Sequence, residues 1–239
     1  MTWIKSIVYP PACFICCQAC VPVRQFPGFC RSCLSRIQWI SDAGTGFFWP
    51  DQLTHAVISD ERIYGTAFYE EPLRSCLIRL KFQEQAEAAS AVAPLMLRAM
   101  LKTKKPCDAL VAVPLHRKRL KQRGYNQAAL LVQSICSLSG YLDASDCLER
   151  IRCTRRQTEI NNKAERSLNL QHAFRFNDVM WQKHQFSSQR PGVIWLVDDI
   201  VTTGATLQEA AKPLRMAGFT VNALVLAVNV KGFSLIRDV

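Results

Sequence analysis

Apolar segments of strand length alternate with segments of helical periodicity along most of the chain. The apolar runs predict strands at residues 63–69, 109–113, near 147–151, 193–197 and 220–228. The helical patterns predict one or two helices over residues 72–102, broken or kinked by Pro94, and further helices over residues 126–138 and 206–217. Strands that alternate with helices usually join through right-handed crossovers. The expected fold class is therefore α/β, with a mainly parallel sheet flanked by helices.

One segment, from Val193 to Leu207, combines an apolar strand with groups that can hold a ligand. The strand ends in Asp198 and Asp199, at the carboxyl end where open α/β sheets bind ligands. A loop of Thr and Gly residues follows and opens into a helix, and its Gly204 permits backbone conformations that other residues avoid. The N–H groups at a helix N-terminus bind phosphate. Because the carboxylates can bind hydroxyls, the segment predicts a site for a phosphorylated sugar.

This segment resembles the signature with which type I phosphoribosyltransferases bind phosphoribosyl pyrophosphate (PRPP). Four apolar residues precede two acids, two apolar residues, Thr-Thr-Gly-x-Thr and a final apolar residue. The resemblance implies that the acids hold the ribose 2′- and 3′-hydroxyls, as candidate catalytic residues, and that the loop holds the 5′-phosphate. The implied PRPP-binding residues of the segment are Asp198, Asp199, Val201, Thr202, Thr203, Gly204, Ala205 and Thr206. The alternative is a buried strand with an Asp-rich turn and a capped helix, which the long match in order disfavours.

A second apolar strand, at residues 110–113, leads into a strongly basic segment. Pro114 stops the strand because it lacks an N–H group for the ladder. The thirteen residues from Pro114 to Asn126 contain no acid and five cations, Arg117, Lys118, Arg119, Lys121 and Arg123. Arginine binds phosphate in bidentate geometry, so this loop is a candidate pyrophosphate site, with a solvated basic loop as the alternative. We expect Gly124 to let the backbone approach the ligand and Asn126 to cap the next helix.

Composition limits the setting of the protein. With 239 residues, 49% of them hydrophobic, the chain can form one large domain or one domain with an appendage. It has no uninterrupted apolar run long enough to span a bilayer, so we expect no membrane insertion. Residues 1–5 lack the features of a secretory signal, and the number of cysteines, eleven, is odd. Reduced thiols and a cytoplasmic location are therefore expected.

Six of the cysteines lie close together near the N-terminus, at Cys13, Cys16, Cys17, Cys20, Cys30 and Cys33. Two C-x-x-C pairs that are separated by a short loop can bind one Zn²⁺ tetrahedrally in a closed structural site. The spacing leaves two solutions open, because Cys13/Cys16 and Cys17/Cys20 are both well-formed pairs and Cys30/Cys33 belongs to either. Unliganded thiols or redox pairs are the alternative to a zinc site.

The cysteine module and the PRPP signature together resemble the ComF family, bacterial proteins associated with competence and DNA uptake. The resemblance covers nearly the whole chain, and its most characteristic block is Asp108 to His116, followed by Arg119 and by Arg123 to Gln127. Before this block, Leu77 to Phe82 matches an apolar-Lys-aromatic stretch. After it comes a spaced pattern of Arg150, Gln157-Thr158, Arg166, Asn169 and Ala173-Phe174.

The resemblance implies both an organisation and a set of ligands. It implies a zinc knuckle at residues 1–40 and a phosphoribosyltransferase-like domain at residues 41–239. Among the cysteines it favours Cys13, Cys16, Cys30 and Cys33 as the ligands of a structural Zn²⁺. It further implies that PRPP binds with Mg²⁺ and also contacts Pro114, His116, Arg117, Arg123 and Lys81.

Residues 150–166 form a second basic segment, with a net charge of +4 in a chain whose formal net charge is +11. In type I phosphoribosyltransferases the corresponding region is a lid that closes over PRPP. A ligand with about five negative charges does not need both basic segments, so the surplus indicates single-stranded DNA. The candidate lid and DNA residues are Lys118, Arg119, Lys121, Arg155, Arg156, Gln157, Lys163 and Arg166.

Three functions are consistent with these features. In the first, a PRPP-binding ComF protein handles incoming single-stranded DNA during natural transformation. In the second, the protein is an active phosphoribosyltransferase that acts on an unidentified acceptor. In the third, it is a scaffold that responds to PRPP or a nucleotide and docks a helicase-like partner through the zinc knuckle. No base-recognition motif in the sequence separates them.

Overall fold

The computed structural model describes residues 12–40, 46–47, 49, 60–82, 85–152, 172–184 and 192–229. The helices in these ranges are α1 (Arg31–Arg36), α2 (Leu73–Phe82), α3 (Gln85–Lys102), α4 (Arg117–Arg123), α5 (Gln127–Ser139), α6 (Asp178–Lys183) and α7 (Ala205–Met216). The strands are β1 (Ile63–Phe68), β2 (Ala109–Ala112), β3 (Leu142–Asp143), β4 (Leu148–Arg150), β5 (Phe174–Phe176), β6 (Val193–Val201) and β7 (Thr220–Val228). A 3₁₀-helix spans Ser145–Cys147.

The main sheet has five parallel strands in the order β1-β7-β6-β2-β3, which confirms the predicted α/β class. Strands β6 and β7 pair along their whole length. Strand β2 is shorter, and its pairing with β6 ends at Ala112↔Val197. As a result, β6 continues past β2 from Asp198 to Val201 at the carboxyl edge of the sheet.

Side chains from the two faces of the sheet enter two separate hydrophobic clusters. On one face, Trp195 and Val197 of β6 pack with α2, α3 and α5. On the other face, Ile194 and Leu196 pack with α7 and with the pair β4–β5. Because both faces are covered, the central strands are apolar at nearly every position, as the sequence pattern predicted.

The N-terminal cysteine module packs on the face that carries α2 and α3. Phe26, Phe29 and Ile37 belong to the same hydrophobic cluster as those helices. The backbone of the module comes very close to α3, because a Cβ added to Gly28 would lie only 2.5 Å from the Cβ of Ala91. The module and the main domain therefore share a continuous core. The predicted boundary at residue 40 stays a prediction.

The basic segment after β2, predicted as a loop, is helix α4. The backbone N–H of Lys118 donates to Nδ1 of His116, the N-cap residue, at 3.2 Å. Gly124 ends the helix with a φ of 81°. The positive φ fits helix termination by glycine, and the expected close approach of Gly124 to a ligand stays a prediction. The expected cap by Asn126 is confirmed, since its side chain accepts a hydrogen bond from the N–H of Ala128.

Several other elements differ from the prediction. The strand expected near 147–151 is β4, which pairs antiparallel with β5 in a separate two-stranded sheet. Strand β3 and helix α6 were not predicted, because elements this short show no clear period. Pro94 lies inside α3, whose burial against the sheet compensates for the lost backbone hydrogen bond.

The cysteines of the described residues are all free thiols. Burial raises the pKa of Cys76, Cys107 and Cys136 to about 12, as expected for thiols that pack among apolar side chains. None of the helices in the described ranges is both long and apolar enough to cross a bilayer.

Candidate functional site

The two predicted ligand motifs leave neighbouring strands at the same edge of the sheet. Strand β2 leads into Pro114, and the N–H of Val113 still donates to the carbonyl of Val197 on β6 at 3.0 Å. In the sheet, β2 has β3 as its outer neighbour, whereas β6 has β7 as its neighbour on the opposite side. The helices that follow β2 and β6 also lie on opposite faces. The crevice between the two strand ends is thus a topological switch point, where open α/β sheets bind ligands.

Asp198 and Asp199 lie in β6 itself, just past its last pair with β2, rather than in the loop after it. Asp198 is partly exposed, whereas Asp199 is only 9% exposed. The Oδ1 atom of Asp198 accepts a hydrogen bond from the N–H of Asp199 at 2.8 Å. Adjacent strand residues normally point to opposite faces. Val197 and Ile200, however, are three residues apart and both pack against the hydrophobic cluster on the α2 and α3 face of the sheet. The alternation of side chains between the two faces therefore shifts by one residue at Asp198 and Asp199.

The loop between β6 and α7 consists of Thr202, Thr203 and Gly204. Gly204 is the N-cap residue of α7, with a φ of 76° and without a side-chain hydrogen bond to the helix. The hydroxyl of Thr203 makes only a long contact of 3.5 Å with the N–H of Ala205. The 12-residue helix α7 therefore begins with backbone donors that its N-cap side chain does not satisfy, as at helix starts that bind phosphate.

The other predicted PRPP-binding residues of this segment lie in two different environments. Ala205 and Thr206 form the first turn of α7 and are partly exposed, so their backbone donors belong to this helix start. Val201 is buried at 3% exposure, and its carbonyl accepts from the N–H of Asn229 at 2.9 Å. The side chain of Val201 therefore serves the core rather than a ligand.

A cavity of about 420 Å³ opens beside the carboxyl end of β2. Its lining brings Pro114, Leu115, His116 and Arg117 together with Leu148, Glu149, Arg150, Ile151 and Arg175 of the small sheet. Three of the predicted PRPP residues, Pro114, His116 and Arg117, thus share one wall. The one acid among the described residues of the lining, Glu149, is paired with Arg175 at 2.9 Å, and this hydrogen bond lowers its pKa. The cavity as a whole is suited to an anion.

Arg175 of this cavity was not identified from the sequence, whereas Arg150 was recognised only as the first residue of the second basic segment. Both lie in the small sheet, whose strands flank the second basic segment. Arg175 is exposed between Phe174, which is buried, and Phe176, which packs against the same core cluster. This apolar-basic-apolar alternation is the signal that could have identified Arg175 as a surface cation of a strand.

Helix α4 carries most of the cations predicted for DNA or pyrophosphate. Lys118 and Lys121 are exposed and lie one turn apart, Arg123 ends the helix, and Arg119 is partly buried. Lys81 lies on α2, but its side chain is outside the described residues. The lid candidates Arg155, Arg156, Gln157, Lys163 and Arg166 also lie outside the described residues.

The structure brings four N-terminal cysteines together, and they are Cys13, Cys16, Cys30 and Cys33. Their sulfur atoms all lie within 4.8 Å of one another. The N–H of Cys33 donates to the sulfur of Cys30 at 3.4 Å. Cys17, from the alternative pair, contacts the guanidinium of Arg79 instead. Four thiolates satisfy a tetrahedral zinc ion and leave no open position, so this donor set fits a structural site.

The surroundings of these sulfurs also suit a metal. Burial opposes ionisation of Cys13, but the N–H groups of Cys16, Cys30 and Ile15 donate to its sulfur, and its pKa falls to about 7. Burial and hydrogen bonds with the other thiols raise the pKa of Cys33. A bound metal ion would keep the four cysteine sulfurs as thiolates, and the N–H donors would stabilise their negative charge.

No protein-family model matches the chain. It is 30% identical over 208 residues to competence protein F of Haemophilus influenzae, covering 84% of this chain and 85% of that protein. It is 32% identical over 163 residues to the DNA utilization protein YhgH of Escherichia coli, covering 66% and 67%. To competence protein ComFC of Bacillus subtilis it is 28% identical over 234 residues, covering 87% and 84%. The predicted resemblance is confirmed, and the chain belongs to the ComF family.

Proposed function

We propose that the protein binds PRPP with Mg²⁺ at the switch point and handles incoming single-stranded DNA in natural transformation. The observation that carries the proposal is the unit formed by β6, the Thr202–Gly204 loop and α7. At one edge of the sheet it presents two acids and a helix N-terminus whose N-cap residue makes no side-chain hydrogen bond. The names of its relatives, two competence proteins and a DNA utilization protein, support the role in DNA handling.

Each part of PRPP has a counterpart in the crevice. The loop and the first turn of α7 would bind the 5′-phosphate through backbone N–H groups, and the carboxylates of Asp198 and Asp199 would accept from the ribose hydroxyls. The cationic cavity lined by Pro114, His116 and Arg117 would receive the pyrophosphate. Mg²⁺ would enter with the pyrophosphate, because it prefers phosphate oxygens and few protein ligands.

The four-cysteine cluster would hold a structural Zn²⁺ in the same protein. Its ligands come from a loop and from the start of α1, which pack on the core through Phe29 and Ile37. Zinc binding would thus order the surface that the module presents. A helicase-like partner would dock on that surface if the protein acts as a scaffold.

The proposed DNA contact gives a prediction about salt. If about four or five cations meet backbone phosphates, the slope of log affinity against log salt should be about −3, at roughly −0.7 for each contact with a single strand. Replacing both Lys118 and Lys121 with alanine should flatten the slope by about 1.4, while PRPP affinity changes little. Fluorescence anisotropy with a labelled oligonucleotide across a salt series measures both slopes.

The matched control replaces Lys102 and Lys104 with alanine. Both are exposed and precede β2, at the opposite edge of the sheet from α4, so their removal should leave the slope unchanged. Arg123→Ala should weaken the binding of both ligands, and PRPP should compete with DNA if the two share the crevice. A wild-type slope near zero, or no DNA binding near physiological salt, would exclude the DNA contact and leave PRPP as the only proposed ligand.

One assay separates binding from catalysis. The protein is incubated with PRPP, Mg²⁺ and a pool of nucleobases, and release of pyrophosphate is followed over time. Release that depends on a base and disappears in Asp199→Asn would establish a phosphoribosyltransferase. PRPP binding without release would support the role of PRPP as a bound ligand or effector.

A further inference from the structure

Three side chains of different chemistry meet beside the small sheet. Asp146 and Cys147 lie in the 3₁₀-helix before β4, and His184 is the C-cap residue of α6. Nε2 of His184 is 2.7 Å from Oδ1 of Asp146, and the sulfur of Cys147 is 3.5 Å from the same oxygen. The three potential ligand atoms all lie within 4.8 Å of one another. None of these residues belongs to the PRPP, DNA or four-cysteine sites described above.

We propose that Asp146, Cys147 and His184 form a second metal site, which takes Zn²⁺ or a similar divalent transition metal. One oxygen, one sulfur and one nitrogen ligand suit such an ion, whereas Mg²⁺ and Ca²⁺ prefer oxygen ligands alone. Three protein ligands leave one position of a tetrahedral ion for water or for an incoming group. The site therefore differs in kind from the closed four-cysteine site.

One of the ligand distances already fits such an ion. Around a tetrahedral zinc, an oxygen and a sulfur ligand lie about 3.6 Å apart, and an oxygen and a nitrogen ligand about 3.3 Å apart. The sulfur of Cys147 is already 3.5 Å from the carboxylate. The contact of Asp146 with His184, at 2.7 Å, must lengthen. The side chain of Asp146 is 43% exposed, so it has room to make that movement.

Two other interpretations of the cluster make different predictions. A cysteine nucleophile activated by histidine is excluded, because Cys147 is fully buried and no substrate can reach it. A simple ion pair is the other interpretation: the carboxylate of Asp146 pairs with His184 and accepts a hydrogen bond from the Cys147 thiol, with no metal present. The ion pair predicts no metal binding, which makes it the alternative outcome of the experiment below.

A metal bound by this cluster would connect two elements of the fold. The N–H of Asn177 donates to the carbonyl of Cys147 at 2.8 Å, and the side chain of Asn177 caps α6. The same side chain lies 3.4 Å from Glu149 in β4. A metal held by Cys147 and His184 would therefore tie α6 to the small sheet whose strands flank residues 151–173. Metal binding should stabilise this corner of the molecule.

The test counts metal in the full-length protein. The wild type and His184→Ala are each loaded with excess Zn²⁺, dialysed and analysed for metal. We expect the wild type to hold one more equivalent than His184→Ala, whatever the occupancy of the four-cysteine site. His172→Ala is the matched control, because this exposed histidine lies outside the cluster and its loss should leave the metal content unchanged.

A second measurement identifies the sulfur ligand. Co²⁺ is titrated into protein whose four-cysteine site already holds zinc, and the thiolate-to-cobalt absorption band is recorded. The band should form in the wild type and weaken in Asp146→Asn, with affinity reduced at least about tenfold. Equal metal content in the wild type and His184→Ala, or a band of equal intensity in a folded Cys147→Ser variant, would overturn the proposal in favour of the ion pair.

Discussion

Replacing Cys33 with serine is expected to abolish zinc binding by the N-terminal module and to disorder it. The side chain of Cys33 is 4% exposed and is one of four sulfurs within 4.8 Å of one another. A structural zinc contributes on the order of 10 kcal/mol to the folding of small modules that depend on it. The module also contributes Phe26 and Phe29 to the core against α3, so its loss should lower the thermal stability of the whole chain. Metal analysis and thermal unfolding of the purified variant measure the two effects.

Cys20→Ser is the matched control for this result. Cys20 lies in the same module but outside the cluster of four sulfurs, so the variant should keep its zinc. The double variant Cys13→Ser, Cys16→Ser decides between the two arrangements that the spacing left open. Full zinc content in that variant would move the site to Cys17 and Cys20. No zinc in the wild type would remove the structural metal from the proposal.

The second large effect concerns PRPP. Asp198→Asn and Asp199→Asn should each lower the affinity for PRPP about five- to tenfold, because a hydrogen bond to a charged group contributes roughly 1.5–3 kcal/mol and one to a neutral acceptor roughly 0.5–1.5 kcal/mol. Asparagine keeps the volume of the side chain but removes the charge that strengthens the bond to a ribose hydroxyl. Isothermal titration calorimetry with and without Mg²⁺ measures the change, and Mg²⁺ should tighten binding to the wild type.

Asp108→Asn is the control for the loss of an acid near these strands. Asp108 precedes β2 at the opposite edge of the sheet, where its carboxylate accepts from the N–H of Val193 at 2.6 Å. Its replacement can cost stability, but it should leave PRPP affinity intact. Unaltered PRPP binding in both Asp198→Asn and Asp199→Asn, with thermal unfolding near that of the wild type, would contradict the assignment of the acids.

Where the sequence prediction succeeded, local patterns carry the information. The buried strands β6 and β7 are continuous apolar runs, because both faces of the sheet are covered. Asn126 was recognisable as an N-cap because a short polar side chain before an apolar helical period is a local signal. The paired acids and the Thr/Gly loop were also visible, since they are contiguous in the chain.

Where the prediction failed, the missing information was tertiary. The segment Arg117–Arg123 has no apolar period that would indicate a helix, and His116 and Gly124 define its ends. The cavity beside β2 is built from segments that are distant in the chain, so Arg175 could not be assigned to it, and Arg150 was recognised only as part of the second basic segment. The pairing of β4 with β5 in a separate sheet could not be predicted either, because tertiary packing rather than local propensity determines which strands pair.

The sequence by itself determined the α/β class, the order of most strands and helices along the chain, and the residue types of the candidate sites. These follow from periodicity and contiguous motifs, which depend on neighbours a few residues away. Only the tertiary structure decided which cysteines meet, which strand ends adjoin, and that Asp146, Cys147 and His184 form a cluster. The spacing of Cys13, Cys16, Cys17 and Cys20 allows two pairings. The choice between them depends on how the turn after Cys13 packs beside α2, where Arg79 contacts Cys17 and the carbonyl of Phe14.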